Sequence, residues 1–280
     1  MALKKPKATT PGRRQMTIAD FRGLSKGKPE KSLVAGKSRI CGRDGKGRVS
    51  IRHRGGGHKR LYRLVDFKQL DRRGVPGQVV ALEYDPNRSA RVALVYYANG
   101  SKAYILAPEG LRAGDTVVTG PRTKVKTGNR MELQHIPVGY RIHNLEMQAG
   151  RGGQVVRSAG TAATLLGFDG DYALIQLPSS EIRKVRKECY ASVGVVSNPE
   201  HNLISWGKAG RIRWMGRRPT VLGKSMNAVD HPHGGGEGHS PIGLKHPKTP
   251  WGKPALGVKT RRVRKPSPLI VRRRFRKKKK

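Results

Sequence analysis

The uneven distribution of charge limits what this chain can fold into more than any other feature. Residues 1–60 carry 18 Lys or Arg and 3 Asp or Glu, a net charge of +15. Residues 201–280 carry 22 Lys or Arg and 2 Asp or Glu, a net charge of +20. Residues 61–200 carry 19 and 13, a net of +6. The two ends therefore hold 35 of the 41 net positive charges. We predict a folded middle between two basic extensions.

The C-terminal extension has a composition that cannot form a core of its own. Residues 201–280 include 11 Gly and 8 Pro, so burial of apolar surface cannot offset the entropy of ordering them. Three tryptophans, Trp206, Trp214 and Trp251, are interleaved with the charge. Aromatic and guanidinium planes among basic residues suit stacking on bases and pairing with phosphates. The sequence therefore predicts an extension that becomes ordered on a nucleic acid.

A net charge of +41 predicts a polyanionic partner, because release of condensed counterions drives basic chains onto DNA or RNA. A membrane partner is disfavoured, since the longest apolar run, 92–98, is far shorter than the roughly 20 residues of a span. The first six residues lead into no apolar stretch and predict no secretory signal. Cys41 and Cys189 have no Cys-x-x-Cys spacing and are interpreted as plain small residues of a reducing compartment.

The middle of the chain shows the pattern of two β modules. In the first, strands are predicted over 78–84, 91–97 and 102–106, with a hairpin turn at Asn99-Gly100. In the second, an Asp169-Gly170 turn joins two strands. The predicted strands there are 154–157, 164–168, 172–177, 182–187 and 193–197. A polar, basic linker is predicted near 122–128. Short strands without helical periodicity favour small barrels of the OB and SH3-like kinds.

A glycine run flanked by basic groups covers residues 53–60, His-Arg-Gly-Gly-Gly-His-Lys-Arg. Glycine lets a backbone come close to phosphates, and exposed amides add donors. The run is not a nucleotide P-loop, because no Gly-Lys-Ser/Thr ends it. Contact with an RNA backbone is the favoured interpretation, and a flexible linker is the alternative.

Arginine clusters mark the C-terminal extension. Arg211, Arg213, Arg217 and Arg218 surround Trp214 in the sequence, and guanidinium groups can grip phosphates in pairs and stack on bases. A basic surface around a buried tryptophan is the alternative. The final run, 272–280, predicts electrostatic binding that tolerates many sequences.

A stretch rich in histidine and glycine, 231–239, invites an enzymatic interpretation. His231, His233, His239 and Glu237 could bind zinc or transfer protons. Gly and Pro surround these residues without a buried supporting shell, so a loop threading between RNA helices is favoured. We predict no cofactor, no metal and no catalytic residue.

Several short segments, taken in order, resemble one family over nearly the whole chain. These are 10–14 (TPGRR), 29–33 (PEKSL), 58–60 (HKR), 83–88 (EYDPNR), 142–144 (IHN), 156–161 (VRSAGT) and 230–238. The chain is similar to the universal large-subunit ribosomal protein two, in its bacterial or organellar form. Two departures are Ala228, where the family usually has proline, and Ser180, where glycine is common.

The resemblance implies an OB-like barrel followed by an SH3-like barrel, with both extensions penetrating large-subunit ribosomal RNA. It further implies a role in subunit joining, tRNA placement and the surroundings of the peptidyl transferase centre. Neighbours would then be other ribosomal proteins, tRNA and the small subunit at an intersubunit bridge. His231 matches a histidine that has been linked to peptide-bond formation, although the centre itself is RNA. The compartment would be the cytoplasm, or the matrix or stroma of an organelle.

These observations predict four segments: a basic extension over 1–60, an OB-like barrel over 61–125, an SH3-like barrel over 126–200 and a Gly/Pro-rich basic extension over 201–280. The fold class is an all-β core with irregular extensions, and the protein is not an enzyme. The predicted RNA-binding residues are His53, Arg54, Gly55, Gly56, Gly57, His58, Lys59, Arg60, Arg88, Arg157, Lys208, Arg211, Arg213, Trp214, Arg217, Arg218, His231, His233, Gly234, Gly235, Trp251, Arg261, Arg262, Arg272, Arg273 and Arg274.

Two functions of other classes remain as alternatives. A DNA-compacting architectural protein would also be basic, but it would be expected to show a dimer or repeat that spaces its contacts along a duplex. A zinc-dependent hydrolase would use His231, His233 and His239, and a metal assay on the purified protein discriminates it.

Overall fold

The computed structural model describes residues 3–257 and 267–274, and these residues divide into two compact units. We call the first the barrel unit; it comprises Met1–Arg39, Lys59–Arg211 and Pro268–Lys280. We call the second the loop unit; it comprises Ile40–His58 and Ile212–Ser267. The strands described below all belong to the barrel unit.

A four-stranded antiparallel sheet forms the first module. Its strands are β3 (Gly77–Glu83), β4 (Val92–Tyr97), β5 (Lys102–Leu106) and β6 (Thr116–Val117), in the spatial order β5-β4-β3-β6. The predicted strands 78–84, 91–97 and 102–106 are confirmed to within one residue at each end. The predicted turn is also confirmed, since Gly100 has a φ of +79° and donates its N–H to the Tyr97 carbonyl at 2.9 Å.

A seven-stranded sheet forms the second module. Its strands are β7 (Arg130–Glu132), β8 (Arg141–His143), β9 (Ala163–Asp169), β10 (Tyr172–Gln176), β11 (Ile182–Arg186), β12 (Tyr190–Val193) and β13 (Ile270–Arg272). The spatial order is β13-β11-β10-β9-β8-β12-β7. The Asp169-Gly170 turn is confirmed, because Asp169 pairs with Tyr172 across a two-residue connection. The all-β class of the core follows from these two sheets.

Two predicted strands of the second module are wrong. Residues 154–157 do not continue as a strand, because Val156 has a φ of +57° and only a single bridge joins Val155 to Leu145. A β-branched residue in the left-handed region interrupts any extended run. The strand predicted over 193–197 lies earlier, at Tyr190–Val193. The apolar residues that suggested a strand there include Val196, which is buried in a loop and forms a single β-bridge with Pro108.

Each predicted extension contributes one strand to the barrel unit. In the N-terminal extension, β1 (Val34–Lys37) pairs with β2 (Arg60–Arg63). In the C-terminal extension, β13 pairs with the edge of β11. Neither extension is therefore irregular throughout. Pattern reasoning missed these strands because they are short and lie among basic residues.

The helices of the described residues are all short. The α-helices are α1 (Pro11–Arg14) and α2 (Ala209–Trp214), and the 3-10 turns are Lys31–Leu33, Leu70–Arg72, Leu133–His135, Pro199–Leu203 and Gly223–Ser225. No helix within residues 3–257 and 267–274 has the length and apolar character to cross a membrane.

Each sheet has its own apolar core. The first consists mainly of Val79, Ala93, Val95, Ala103, Ile105, Leu111 and Val117. The second consists mainly of Met131, Leu133, Ile142, Leu145, Ala163, Leu165, Ala173, Ile175, Val185, Cys189, Ala191 and Val193. Burial raises the pKa of the Cys189 thiol to about 11, so it is an uncharged core residue. Cys41 is exposed.

A buried ion pair lies beside the second core. The side chains of Arg130 and Glu146 are both 0% exposed, and Nη2 of Arg130 lies 2.9 Å from Oε1 of Glu146. Arg130 also donates to the carbonyls of Asn144 and Lys68, and Glu146 accepts the N–H groups of Gly152 and Tyr190. This network ties β7 and β12 to the loops around them. Desolvation lowers the pKa of Arg130, while the Glu146 carboxylate opposes that shift.

His143 gives the barrel unit an acid-sensitive element. Its Nδ1 lies 3.0 Å from the Gly194 carbonyl, which can only accept, so Nδ1 carries the proton in the neutral ring. The pKa of His143 is lowered from 6.5 to about 4, chiefly by burial; the bond to Gly194 opposes this shift and the Arg130 charge adds to it. A lowered pKa means that the neutral ring stabilises the fold fully above pH 6.5 and that this contribution is lost as the pH falls towards 4.

We predict that the wild-type chain loses about 3 kcal/mol of unfolding free energy between pH 7 and pH 4 through His143 alone. His143→Gln should remove this part of the pH dependence, although the variant is less stable at pH 7. Urea denaturation at several pH values measures it. The exposed His246→Gln serves as the control and should keep the wild-type profile. A His143→Gln chain with an unchanged profile contradicts the assignment.

Ser180 adopts a backbone conformation that suits glycine. It lies in the turn between β10 and β11 with a φ of +65°, and its N–H donates to the Leu177 carbonyl at 2.9 Å. Left-handed conformations cost non-glycine residues about 1–2 kcal/mol, partly offset by the entropy that glycine loses on folding. Ser180→Gly should therefore stabilise the chain by about 0.5–1 kcal/mol. Thermal unfolding measures the change in Tm, with Ser179→Gly as the control. An equal rise in Tm for Ser179→Gly would refute the argument, because Ser179 does not have a positive φ.

Candidate nucleic-acid interface

The loop unit has no apolar core among its described residues. None of its apolar side chains within 40–58 and 212–257 is buried; the buried apolar residues of the described chain all lie in the barrel unit. The same two segments carry 12 Lys or Arg and 3 Asp or Glu, a net charge of +9. A segment of this composition gains little from burying its own side chains.

Backbone contacts between two segments organise the loop unit. The glycine run lies against the end of α2 and the turn that follows it, with a single β-bridge between Arg54 and Arg217. The N–H of Gly55 donates to the Gly216 carbonyl at 3.0 Å, and the N–H of His58 donates to the Trp214 carbonyl at 3.0 Å. Two predicted motifs that are more than 150 residues apart therefore form one structure.

The glycines at this crossing are needed for packing of chain on chain. A Cβ atom at Gly57 would lie 2.9 Å from the Cα of Gly216, closer than side chains tolerate. Gly56 and Gly216 have φ values of +68° and +90°. The backbone of the glycine run therefore has a defined position where it crosses residues 214–216. A flexible linker, the alternative interpretation, would make no such contacts. The crossing leaves Arg54, His58, Arg213, Arg217 and Arg218 exposed.

Aromatic rings in the loop unit lie beside cations. The rings of His58 and Trp214 are 5.6 Å apart, and the guanidinium of Arg52 lies 5.2 Å from the centre of the Trp251 ring. Trp251 is 75% exposed. A nearly free indole face beside a guanidinium is a suitable platform for an unstacked base. Arg52 was not among the predicted residues, although the pattern Arg52-His53-Arg54 could have indicated it.

His231 lies inside the histidine-glycine loop, with only 8% of its surface exposed. Its Nδ1 accepts the N–H of His233 at 3.0 Å, and its ring packs so closely on Gly223 that a Cβ there would lie 2.5 Å away. The Nε2 of His233 accepts the N–H of Lys248 at 2.8 Å. A Cβ at Gly234 would meet the Asn227 carbonyl oxygen, while Gly235 has a φ of +82°. These rings therefore hold the loop in shape, a role that the sequence did not reveal.

Two histidine ring nitrogens of this loop are engaged in backbone hydrogen bonds. Within the described residues, no group of three His, Cys, Asp or Glu side chains has an arrangement that could hold a metal ion. The Nδ1 of His231 and the Nε2 of His233 both accept backbone hydrogen bonds instead.

In the barrel unit, two predicted arginines converge on one ring. The guanidinium of Arg157 lies 4.4 Å from the centre of the Phe67 ring, and that of Arg88 lies 5.5 Å from it. Arg88 is oriented by an ion pair of 2.6 Å with the buried Asp85. Phe67 was not predicted, because nothing in its local pattern separates it from a core residue.

Arg60 is held by a backbone carbonyl. Its Nη1 donates to the Pro86 carbonyl at 2.8 Å, and it forms no ion pair with a carboxylate of the residues that the structure describes. Asn87 donates to the Leu61 carbonyl at 2.6 Å and accepts from Lys37 at 3.0 Å. The EYDPNR segment therefore fixes a row of cations along β1 and β2. Lys59 precedes this row and is exposed.

The remaining predicted residues are dispersed. Arg211 lies over the Trp206 ring at 5.1 Å, a pairing that the sequence analysis did not predict, and Lys208 is exposed nearby in the chain. Arg272 is the last residue of β13 and is followed by the exposed Arg273 and Arg274. Arg261 and Arg262 lie outside the described residues.

Two small β modules whose arginines lie beside an aromatic ring, and a basic unit with exposed indoles, are typical of a nucleic-acid-binding structural protein. Comparison with known families agrees with this class. Residues 30–119 match the family described as Ribosomal Proteins L2, RNA binding N-terminal domain, and residues 126–252 match Ribosomal Proteins L2, C-terminal domain. The chain belongs to the ribosomal protein L2 family.

Membership of this family confirms several of the predictions. The all-β fold with an OB-like barrel followed by an SH3-like barrel is that of the family. The chain is a structural protein of the large ribosomal subunit that binds its ribosomal RNA and acts in translation. Its partners in that subunit are ribosomal RNA and other ribosomal proteins. The family is structural in character.

Proposed function

We propose that the chain is a non-catalytic scaffold whose loop unit becomes stable only on large-subunit RNA. The observation that carries this proposal is the absence of any buried apolar side chain in residues 40–58 and 212–257, together with their net charge of +9. RNA phosphates would neutralise the exposed arginines, and unstacked bases would cover Trp214 and Trp251. The predicted RNA-binding residues of both units belong to this proposal.

A finer role is proposed for the histidine-glycine loop, residues 226–240. The loop would support subunit association at an intersubunit bridge, tRNA placement and the architecture around the peptidyl transferase centre. Its packed histidines support a positioning role, because both ring nitrogens described above accept backbone N–H groups within the loop. The compartment proposed is the cytoplasm, or the matrix or stroma if the ribosome is organellar.

Substitution of His231 tests this role. We expect His231→Ala to leave binding to ribosomal RNA within about twofold, since the Gly- and Pro-rich loop around it carries little charge, but to lower peptide synthesis or subunit joining at least about threefold. His231→Asn should restore most of the activity, because its amide oxygen can take the place of Nδ1 as acceptor for the His233 N–H. Reconstituted ribosomes carrying each variant provide the measurement, with the exposed His239→Ala as control.

The same variants separate positioning from proton transfer. A general acid or base would impose its own titration on the rate, and both His231→Ala and His231→Asn would lose it. We expect all particles to share one pH profile at different amplitudes. A titration that disappears in both variants would overturn the proposal that the loop is non-catalytic.

A further inference from the structure

A cavity of about 210 Å³ lies within the barrel unit. Its apolar lining comes from three parts of the chain: the N-terminal extension, the strand ends of the first sheet and the loop after β12. The residues are Leu24, Leu82, Ala107, Pro108, Leu111 and Pro199. An apolar cavity of about 150 Å³ can hold benzene, so this one has room for a single leucine, methionine or phenylalanine side chain.

The walls of the cavity are tied together by hydrogen bonds. The N–H of Glu109 donates to the Val195 carbonyl at 2.8 Å, and the N–H of Ser197 donates to the Ala107 carbonyl at 3.1 Å. The N–H of Arg91 donates to the Ser197 hydroxyl at 3.1 Å. Because these bonds join the first sheet to the loop after β12, the cavity is preformed and binding requires little reorganisation entropy.

One wall of the cavity carries a buried cation. Arg91 is 3% exposed, its Nη2 donates to the Asp20 carbonyl at 3.1 Å, and its guanidinium lies 5.1 Å from the Phe21 ring centre. Its Nε has almost no accessible surface. The guanidinium is therefore held in place by these contacts and forms a fixed wall of the cavity.

The charged side chains at the cavity are unusual for this chain. Glu109 and Glu200 both line it, although the chain has only 18 acidic residues against 59 Lys or Arg. Within residues 3–257 and 267–274, neither carboxylate takes part in an ion pair. Two uncompensated carboxylates repel RNA phosphates and attract a cationic partner.

We propose that this cavity is the docking site for a basic extension of a neighbouring protein of the large subunit. The extension inserts one bulky apolar side chain and sets flanking Lys or Arg residues against Glu109 and Glu200. The apolar volume and the carboxylates each match one part of such a peptide. A nucleotide would match the volume but not the carboxylates.

Photo-crosslinking in assembled large subunits tests this proposal. Photo-leucine, which is close to leucine in size, replaces Leu24 in the full chain, and the crosslinked peptides are sequenced after irradiation of purified subunits. We expect one dominant crosslink to a segment of another ribosomal protein with an apolar residue between Lys or Arg residues. The double variant Glu109→Lys/Glu200→Lys should reduce that product at least tenfold.

The control is Glu188→Lys, an exposed glutamate of the barrel unit away from the cavity lining, which should leave the crosslink unchanged. Crosslinks to ribosomal RNA, to the chain's own residues 258–280, or to no partner would each overturn the proposal. An unaltered crosslink in the double variant would equally overturn it, because the carboxylates would then have no part in binding.

Discussion

Replacing Glu146 by alanine is expected to cost the folded chain about 3–5 kcal/mol, the largest single-residue effect in the barrel unit. The substitution leaves the guanidinium of Arg130 charged in a site where both side chains are 0% exposed. It also leaves the N–H groups of Gly152 and Tyr190 without their acceptor. Urea denaturation of the full chain at moderate salt measures the loss.

Two controls separate the buried pair from a general effect of charge. Glu188→Ala removes an exposed carboxylate and should change the unfolding free energy by less than about 0.5 kcal/mol. Arg130→Met/Glu146→Leu removes both charges, and it should recover a large part of the loss because no unpaired charge remains buried. If the double variant were as unstable as Glu146→Ala, the cost would lie in packing and not in the unpaired charge.

The triple substitution of Arg213, Arg217 and Arg218 by alanine is expected to lower affinity for large-subunit ribosomal RNA at least about 10³-fold. All three side chains are exposed at or beside the glycine crossing of the loop unit. Each charge-assisted hydrogen bond contributes about 1.5–3 kcal/mol. The slope of log affinity on log salt should also become shallower by about 0.7–0.9 for each phosphate that the variant no longer neutralises. Filter binding across a salt series gives both quantities.

Matched variants show which kind of interaction the three arginines supply. The Arg→Lys triple keeps the charge, so its salt slope should remain while the affinity falls in part, because lysine cannot make bidentate and stacking interactions. The control variant replaces Arg112, Arg122 and Arg186 by alanine. These residues are exposed on the barrel unit, so the control loses the same three charges as the first alanine triple. Equal losses of affinity in the two alanine triples would mean that net charge, and not the loop unit, determines binding.

The core could be predicted from the sequence where local rules decide the structure. The hairpins at Asn99-Gly100 and Asp169-Gly170 follow from turn chemistry between β-rich runs, and their strands lie where the pattern indicates. The segment 154–157 could not be predicted, since its left-handed Val156 is imposed by tertiary contacts such as the Asn144 N–H bond to the Val156 carbonyl.

The candidate interface was predicted by residue type but not by arrangement. Charge and glycine content identified both 53–60 and 211–218, yet no local signal shows that their backbones cross at Gly57 and Gly216. His231 was identified as chemically notable, but its burial depends on the fit of its ring to Gly223. Long-range packing of this kind leaves no periodicity in the sequence.

Hydrogen–deuterium exchange of the full chain, free and bound to large-subunit ribosomal RNA, tests the central claim most directly. Core strands such as Val92–Tyr97 and Tyr172–Gln176 should exchange slowly in both states, because their amides lie in packed sheets. Amides of residues 40–58 and 212–257 should exchange rapidly in the free chain and slowly in the complex, because RNA supplies the burial that the loop unit lacks. Slow exchange of these segments in the free chain, unchanged by RNA, would contradict the account.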